Sequence, residues 1–276
     1  MEYVQAGGAR IPALGFGTWE LRGALACRMV EIALEVGYRH IDTAQMYDNE
    51  GEVGAAIRAS GVPREEIFLV TKVWPGRFRA GELQRSVEES VARLGFEPVD
   101  LVLLHWPNPA VPLAETIEAL NEVRSRGLAR HIGVSNFPVR LLREAVRLSP
   151  APIVTDQVEY HPFLSQRSLL RACREAGIAL TAYCPLARGR VFESEVLKRI
   201  GARYGKDPGQ VALRWLLQQE SVVAIPRSAR PEHIRSNFQI WDFRLSDEEM
   251  EEIARLGSPQ GRIVDLEGLA PEWDEE

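Results

Sequence analysis

Eight short apolar runs, each followed by a segment with helical spacing, constrain this chain more than any other feature. They are ALGFGTW (13–19), RHIDTA (39–44), FLVTKV (68–73), VDLVLLHW (99–106), ARHIGVSN (129–136), IVTDQVEY (153–160), IALTAYCP (178–185) and SVVAIPR (221–227). Near-continuous apolar, β-branched runs are strands buried on both faces, and intervening helices supply that cover, so the pattern predicts a parallel sheet. The intervening segments agree. GELQRSVEESVARLG puts Leu83, Val87, Val91 and Leu94 on one helical face. Asp207 reads as an N-cap followed by Pro208 at the first helical position, and Ser246 with Glu249 as a capping box.

Eight strand-helix units in 276 residues average about 34 residues each, which suits one α/β domain spanning 1–276: a closed (β/α)8 barrel. Extra helices are expected towards the C-terminus. Gly7-Gly8 and the Ile11-Pro12 step suggest a short N-terminal hairpin before the first barrel strand. A doubly wound open sheet is the alternative, weakened because no GxGxxG follows any strand.

Composition narrows the partners. A formal charge of −6, with Lys and Arg interspersed among Asp and Glu, argues against a nucleic-acid surface and for a small-molecule ligand. Cys27, Cys173 and Cys184 are odd in number and form no CxxC pair, so no disulfide framework or metal knuckle is expected. The N-terminus lacks basic and apolar leader regions, and no window approaches the ~18 apolar residues of a membrane span. A cytoplasmic protein is the expectation.

Asp42 is expected to end the second strand, Tyr47 to follow in its loop, Lys72 to end the third strand and His105 the fourth. Parallel strands bring all four to one rim, where barrel chemistry collects. A phenol with its usual pKa near ~10 donates poorly at neutral pH, and a neighbouring ammonium lowers that pKa. Lys72 can be that ammonium, Asp42 can keep it charged, and His105 can hydrogen-bond a carbonyl oxygen. Singly, these are an N-cap, a packing tyrosine and a solvated cation. A lysine inside FLVTKV and a histidine inside LVLLHW are costly unless paired, which favours a joint role. No side chain can supply a hydride, so a cofactor is implied.

With these residues in place, the sequence from about Ile11 onward resembles the aldo-keto reductase family. The resemblance rests on GFGTW (15–19), GYRHIDTAQMYDNE (37–50), TKVWP (71–75), LLHWP (103–107), GVSNF (133–137), DQVEYHP (156–162), AYCPLARG (182–189) and IPRSARPEHIRSNF (225–238). It is similar in its short loops and tail to compact bacterial 2,5-diketo-D-gluconate and methylglyoxal reductases. The resemblance implies a (β/α)8 fold, a nicotinamide dinucleotide held without a Rossmann domain, and reduction of aldehydes and ketones to alcohols. It makes Asp42, Tyr47, Lys72 and His105 the catalytic tetrad, with Tyr47 the proton donor.

By the same motifs, Thr18, Trp19 and Asp42 belong to the cofactor site, Ser135, Asn136 and Gln157 hold the carboxamide, and Tyr183 stacks on the nicotinamide. Leu186 and Arg188 lie along the pyrophosphate, and the segment containing Arg227, Ser228, His233 and Asn237 surrounds the adenosine. The family's usual lysine, arginine and glutamate here are Arg227, His233 and Ser236. Arg227 with Ser228, helped by Arg230, still suits a 2′-phosphate, whereas His233 is a weaker clamp, so NADPH is favoured with NADH retained. Cys184 replaces a frequent serine and reads as a small packing residue. Trp19, Trp74 and Trp106, with Tyr47 and His105, wall the substrate pocket. No metal is implied, and the family's habit suggests a monomer. Rival readings are a Schiff-base aldolase using Lys72 and a nucleotide-binding regulatory barrel without turnover.

Overall fold

The computed structural model describes residues 1–274. It opens with an antiparallel hairpin, β1 (Tyr3–Ala6) and β2 (Ala9–Pro12), turned by Gly7 and Gly8, both at positive φ. Two adjacent left-handed residues make the turn whose twist matches its strands, and glycine adopts that conformation without a Cβ clash.

Each apolar run then supplies one strand: β3 (Phe16–Gly17), β4 (His40–Asp42), β5 (Phe68–Val73), β6 (Val99–Leu104), β7 (Ala129–Ser135), β8 (Ile153–Glu159), β9 (Ala179–Tyr183) and β10 (Val222–Ala224). The helices between and after them are α1 (Gly23–Val36), α2 (Glu50–Ala59), α3 (Glu82–Leu94), α4 (Leu113–Ser125), α5 (Val139–Leu148), α6 (Arg167–Glu175), α7 (Glu195–Tyr204), α8 (Pro208–Leu217), α9 (Pro231–Phe238) and α10 (Asp247–Ala254). The additions to a one-strand, one-helix repeat are a second helix between β9 and β10, and α10 at the end. The predicted caps form: Asp207 accepts from the Gln210 amide, Ser246 from that of Glu249, and in each case the third residue's side chain reaches back to the cap amide. Leu83, Val87, Val91 and Leu94 are all buried on α3, each contributing about 1.5–3 kcal/mol of apolar transfer.

The strands pair in parallel and in chain order from β3 to β10. The two ends also meet, because Leu14 bridges Ala224, Gly15 N donates to Ala224 O and Gly17 N to Pro226 O. That seam closes the sheet into a (β/α)8 barrel and disposes of the open doubly wound alternative.

Strand alternation then assigns the two faces. Ile41, Leu69, Val102, Ile132 and Leu180 belong to the large cluster between barrel and helices. Phe68, Val70, Leu101, Leu103, Ala179 and Val223 form the barrel interior, closed below by Ala6, Ala9 and Ile11 of the hairpin. Lys72 shares the parity of Phe68 and Val70, and His105 that of Leu101 and Leu103. Both therefore lie in the top layer of the barrel interior. Among the described residues, no helix is long and apolar enough to cross a membrane.

Candidate active site

The inward-facing positions near the C-terminal ends of β4 to β9 carry Asp42, Lys72, His105, Ser135, Gln157 and Tyr183. Every one is polar. Below them the interior is mainly apolar, with His40, Thr155 and Thr181 as buried polar exceptions, so these groups must satisfy one another or forfeit the hydrogen bonds that water gave them.

Lys72 is fully buried and spends all three ammonium protons: on Asp42 Oδ1 at 2.5 Å, the Thr43 carbonyl at 2.8 Å and the Tyr47 hydroxyl at 3.2 Å. Burial by itself would lower its pKa, but the Asp42 charge and the hydrogen bonds to Asp42 and Tyr47 outweigh that and raise it. Lys72 is thus a fixed cation. Tyr47 stands in a short 3-10 turn (Gln45–Tyr47) after β4. Burial pushes its phenol above the ordinary value and the Lys72 charge pulls it back only partly. This corrects the expectation of a lowered phenol: desolvation outweighs the ammonium, and the group stays protonated. His105 is held well below the usual imidazole range, first by burial and then by the Lys72 charge, so its ring is neutral. Its Nδ1 is buried without a hydrogen-bond partner.

A second layer of bonds ties the tetrad to its neighbours. Gln157 Nε2 donates to Asp42 Oδ2 at 2.8 Å, and Thr18 Oγ1 to the Asp42 carbonyl at 3.0 Å. Asn136 Nδ2 donates to the His105 carbonyl at 3.0 Å and to Ser135 Oγ at 3.1 Å. Ser135 Oγ donates to the Gln157 carbonyl at 2.7 Å, and the Tyr183 hydroxyl to Asn136 Oδ1 at 2.8 Å. Asn136 has φ 63°, a left-handed backbone that asparagine tolerates better than most residues. The result is a tyrosine pinned at its hydroxyl edge beside two side-chain amides and a hydroxyl. No hydrogen bond among the described residues reaches Gln157 Oε1, which leaves an amide acceptor for a carboxamide N–H. These groups fit a nicotinamide.

The three tryptophans divide. Trp19 meets Tyr47 edge-on at 5.1 Å and Trp74 meets His105 at 5.3 Å, so both border the phenol and imidazole. Trp106 is buried and touches Trp273 of the C-terminal tail at 6.2 Å. The residues expected at the adenosine end are scattered by comparison. Arg188 is exposed with φ 52°, Leu186 is half-buried, and His233 is exposed on α9 while Asn237 on the same helix is buried. Ser228 turns onto the Arg230 backbone, Arg230 pairs with Glu232, and Ser236 donates to the Asp207 carboxylate that caps α8. Arg227 donates through Nε to the Trp19 carbonyl at 2.8 Å and through Nη2 to Glu20 at 3.1 Å. No hydrogen bond joins Arg227, Ser228, His233 and Asn237 to one another among the described residues.

Three structural contributors escaped the sequence reading. Asn49 is buried, accepts from Thr43 Oγ1 at 2.6 Å, and donates to the Thr18 and Leu21 carbonyls at 2.9 and 2.8 Å, stapling the loop of Tyr47 to that of Trp19. Glu159 accepts from the Ile263 and Val264 amides, both at 2.7 Å, and contacts His161 Nε2 at 2.8 Å, strapping the tail to the rim. An acid ending the apolar run IVTDQVEY carried the same cost signal as Lys72. Glu20 is the third, and nothing in its surroundings along the chain marked it.

A closed barrel whose rim holds an acid, a buried lysine, a protonated phenol and a neutral imidazole beside an amide-and-tyrosine cradle is that of an NAD(P)H-dependent oxidoreductase. The chain belongs to the Aldo/keto reductase family, whose model matches residues 13–258. It is 42% identical over 267 residues, 96% of this chain and 99% of the other, to methylglyoxal reductase DkgB of Escherichia coli O157:H7. It is 39% identical over 270 residues, 96% of this chain and 95% of the other, to the 9,11-endoperoxide prostaglandin H2 reductase of Trypanosoma cruzi. A crystal structure whose description gives 2,5-diketo-D-gluconic acid reductase B as a provisional assignment superposes with a TM-score of 0.98 at 51% identity, covering 99% of this chain and 98% of the other. Relatives named for different substrates are thus similar to this one chain over nearly its whole length.

Proposed function

We propose that this enzyme reduces small aldehydes, dicarbonyls or keto-sugar acids to alcohols, prefers NADPH to NADH, and uses Tyr47 as its proton donor. The observation that carries the reading is the buried Lys72 ammonium held between the Asp42 carboxylate and the Tyr47 hydroxyl. When bound, the dinucleotide supplies the hydride from its nicotinamide C4. Ser135, Asn136 and Gln157 would hold its carboxamide and Tyr183 its ring face. Leu186 and Arg188 would lie along the pyrophosphate, Arg227, Ser228, His233 and Asn237 would surround the adenosine, and Thr18, Trp19 and Asp42 would complete the cofactor site.

The chain's own groups do the proton chemistry. Tyr47, protonated because it is desolvated, gives its phenolic proton to the carbonyl oxygen as that oxygen gains charge. Lys72 stabilises the phenolate left behind, and Asp42 keeps Lys72 charged and aimed. A neutral His105 has one N–H with which to orient the carbonyl. Trp19 and Trp74 provide flat apolar walls at the mouth. A Schiff-base role for Lys72 is disfavoured, since that chemistry needs a neutral amine and this one is charged with every proton engaged.

The test is a carbonyl panel of methylglyoxal, 2,5-diketogluconate and aromatic aldehydes, run with NADPH and with NADH on the wild type and on Tyr47→Phe. The variant should lose about 10²–10⁴ in kcat and keep its NADPH affinity. Normal turnover by that variant would sink the assignment, and tight NADPH binding without oxidation by any carbonyl would favour a regulatory barrel.

A further inference from the structure

The barrel seam brings together two residues 207 positions apart. Because Gly17 N donates to Pro226 O, the loop after β3 and the loop after β10 leave the rim side by side. Arg227 crosses from one to the other. Its Nε donates to the Trp19 carbonyl at 2.8 Å and its Nη2 to Glu20 Oε2 at 3.1 Å, so one two-proton edge of the guanidinium is already occupied. Such an edge is what a guanidinium offers a phosphate for a bidentate grip.

Glu20 is an odd residue for this place. Its backbone has φ 61°, in the left-handed region that a glutamate rarely adopts, and Gly23 follows at φ 52°. Conformations of this kind persist where the surroundings impose them and cluster at functional sites. A negative side chain therefore stands on the arginine read as the grip for the 2′-phosphate. Like charges on one guanidinium compete. Arg230 differs, because its carboxylate partner Glu232 lies two residues along the same segment and moves with it.

We infer that Glu20 is a specificity-determining residue for the cofactor: it holds Arg227 against the Trp19–Glu20 loop and taxes binding of the 2′-phosphate that the same guanidinium must accept. The inference rests on reading Arg227 as the 2′-phosphate residue. Glu20 sets how far NADPH is preferred, while the Trp19 carbonyl keeps the arginine in place whichever anion it meets. NADH, having no 2′-phosphate, gains little from releasing the arginine.

The experiment is Kd for NADPH and for NADH, followed by quenching of intrinsic tryptophan fluorescence, in wild type, Glu20→Gln, Arg227→Ala and the double variant. Glutamine keeps an oxygen acceptor and removes the charge, which separates competition from positioning. Glu20→Gln should tighten NADPH about three- to fivefold, the size of one exposed ion pair, and move NADH by less than about 1.5-fold. In the double variant the gain should vanish, leaving the affinities of Arg227→Ala alone. If Arg227→Ala weakens NADPH selectively but Glu20→Gln leaves it unchanged, weakens it or tightens both cofactors alike, the inference about Glu20 is wrong while Arg227 keeps its role. If Arg227→Ala weakens both cofactors equally, the reading of Arg227 fails and the inference goes with it.

Discussion

The tetrad side of the rim and the side proposed for the adenosine are built on opposite terms. At β4 to β6, Asp42, Lys72 and His105 are almost wholly buried, and Lys72 is hydrogen-bonded by every proton it has. Around β10 and α9, Arg227, Arg230 and Arg235 are substantially exposed, and each is paired with a carboxylate, respectively Glu20, Glu232 and Glu35. The first region gains strength from low dielectric and loses heavily if a partner is removed. The second is screened by water, where ion pairs are worth about 0–1 kcal/mol and can exchange partners at little cost. Proton transfer needs the former. A site that must capture and release a large anion is served by the latter.

The contrast is broken most directly at Lys72. Lys72→Met would leave the buried Asp42 carboxylate with Gln157 as its remaining hydrogen-bond partner among the described residues, a loss of about 3–5 kcal/mol by urea unfolding, together with loss of carbonyl reduction. Adding Asp42→Asn removes the stranded charge and should recover most of that stability without recovering activity. A double variant no more stable than Lys72→Met would show that the pair is not the coupled unit described.

The tail tests an intermediate case. Glu159→Gln replaces one acceptor with an N–H facing the Ile263 or Val264 amide, a local loss of about 1–3 kcal/mol. Hydrogen exchange at Ile263 and Val264 should therefore accelerate by roughly tenfold or more, while β5 and β6 keep their protection. Unchanged protection at those two amides would mean that the tail is held by other contacts, such as Arg262 over Trp273 at 3.6 Å and the Asp274 carboxylate on the Val139 amide at 2.9 Å.

The same physics decides what could be read in the sequence. All eight strands were legible because residues buried on both faces leave long apolar runs, and Lys72 and His105 stood out because charge and polarity inside such runs are expensive. Asp42 and Tyr47 followed from their spacing to that lysine. The direction of the Tyr47 shift did not, because it depends on how much water reaches the phenol, which the packing of the Trp19, Trp74 and His105 rings decides. Barrel closure was an inference from the number of units, and the seam from Leu14 to Ala224 shows it only in three dimensions. At the adenosine end an exposed arginine or glutamate costs nothing, so Glu20 carried no mark. Its contact with Arg227 joins the first and last strands of the barrel, the pair furthest apart in the chain.

Arg227→Ala sharpens the comparison from the exposed side. It should cut the preference for NADPH over NADH about tenfold, as expected for one charge-assisted grip, while unfolding stability stays within about 0.5 kcal/mol because the side chain is solvated. Parallel isotherms for the two cofactors and a urea titration give both quantities. A stability loss as large as that of Lys72→Met would erase the distinction between the regions.

The smallest expected effect is an absence of pH dependence at the chemical step. Tyr47 must be protonated to act, and its pKa is raised, so activity is lost only as pH climbs past a value above the ordinary phenol's ~10. His105 must be neutral, and its pKa is lowered, so it gains charge only well below the ordinary ~6.5. Both limits move away from neutrality, and kcat at saturating NADPH should be flat from about pH 6.5 to 9. The apparent affinity for NADPH should not be flat, because a phosphate monoester with a second pKa near ~6 loses charge on the acid side and with it part of the Arg227 grip. A break in kcat near pH 6.5 would place an ordinary, solvated imidazole at the mouth and undo the contrast between a dry catalytic rim and a wet cofactor end.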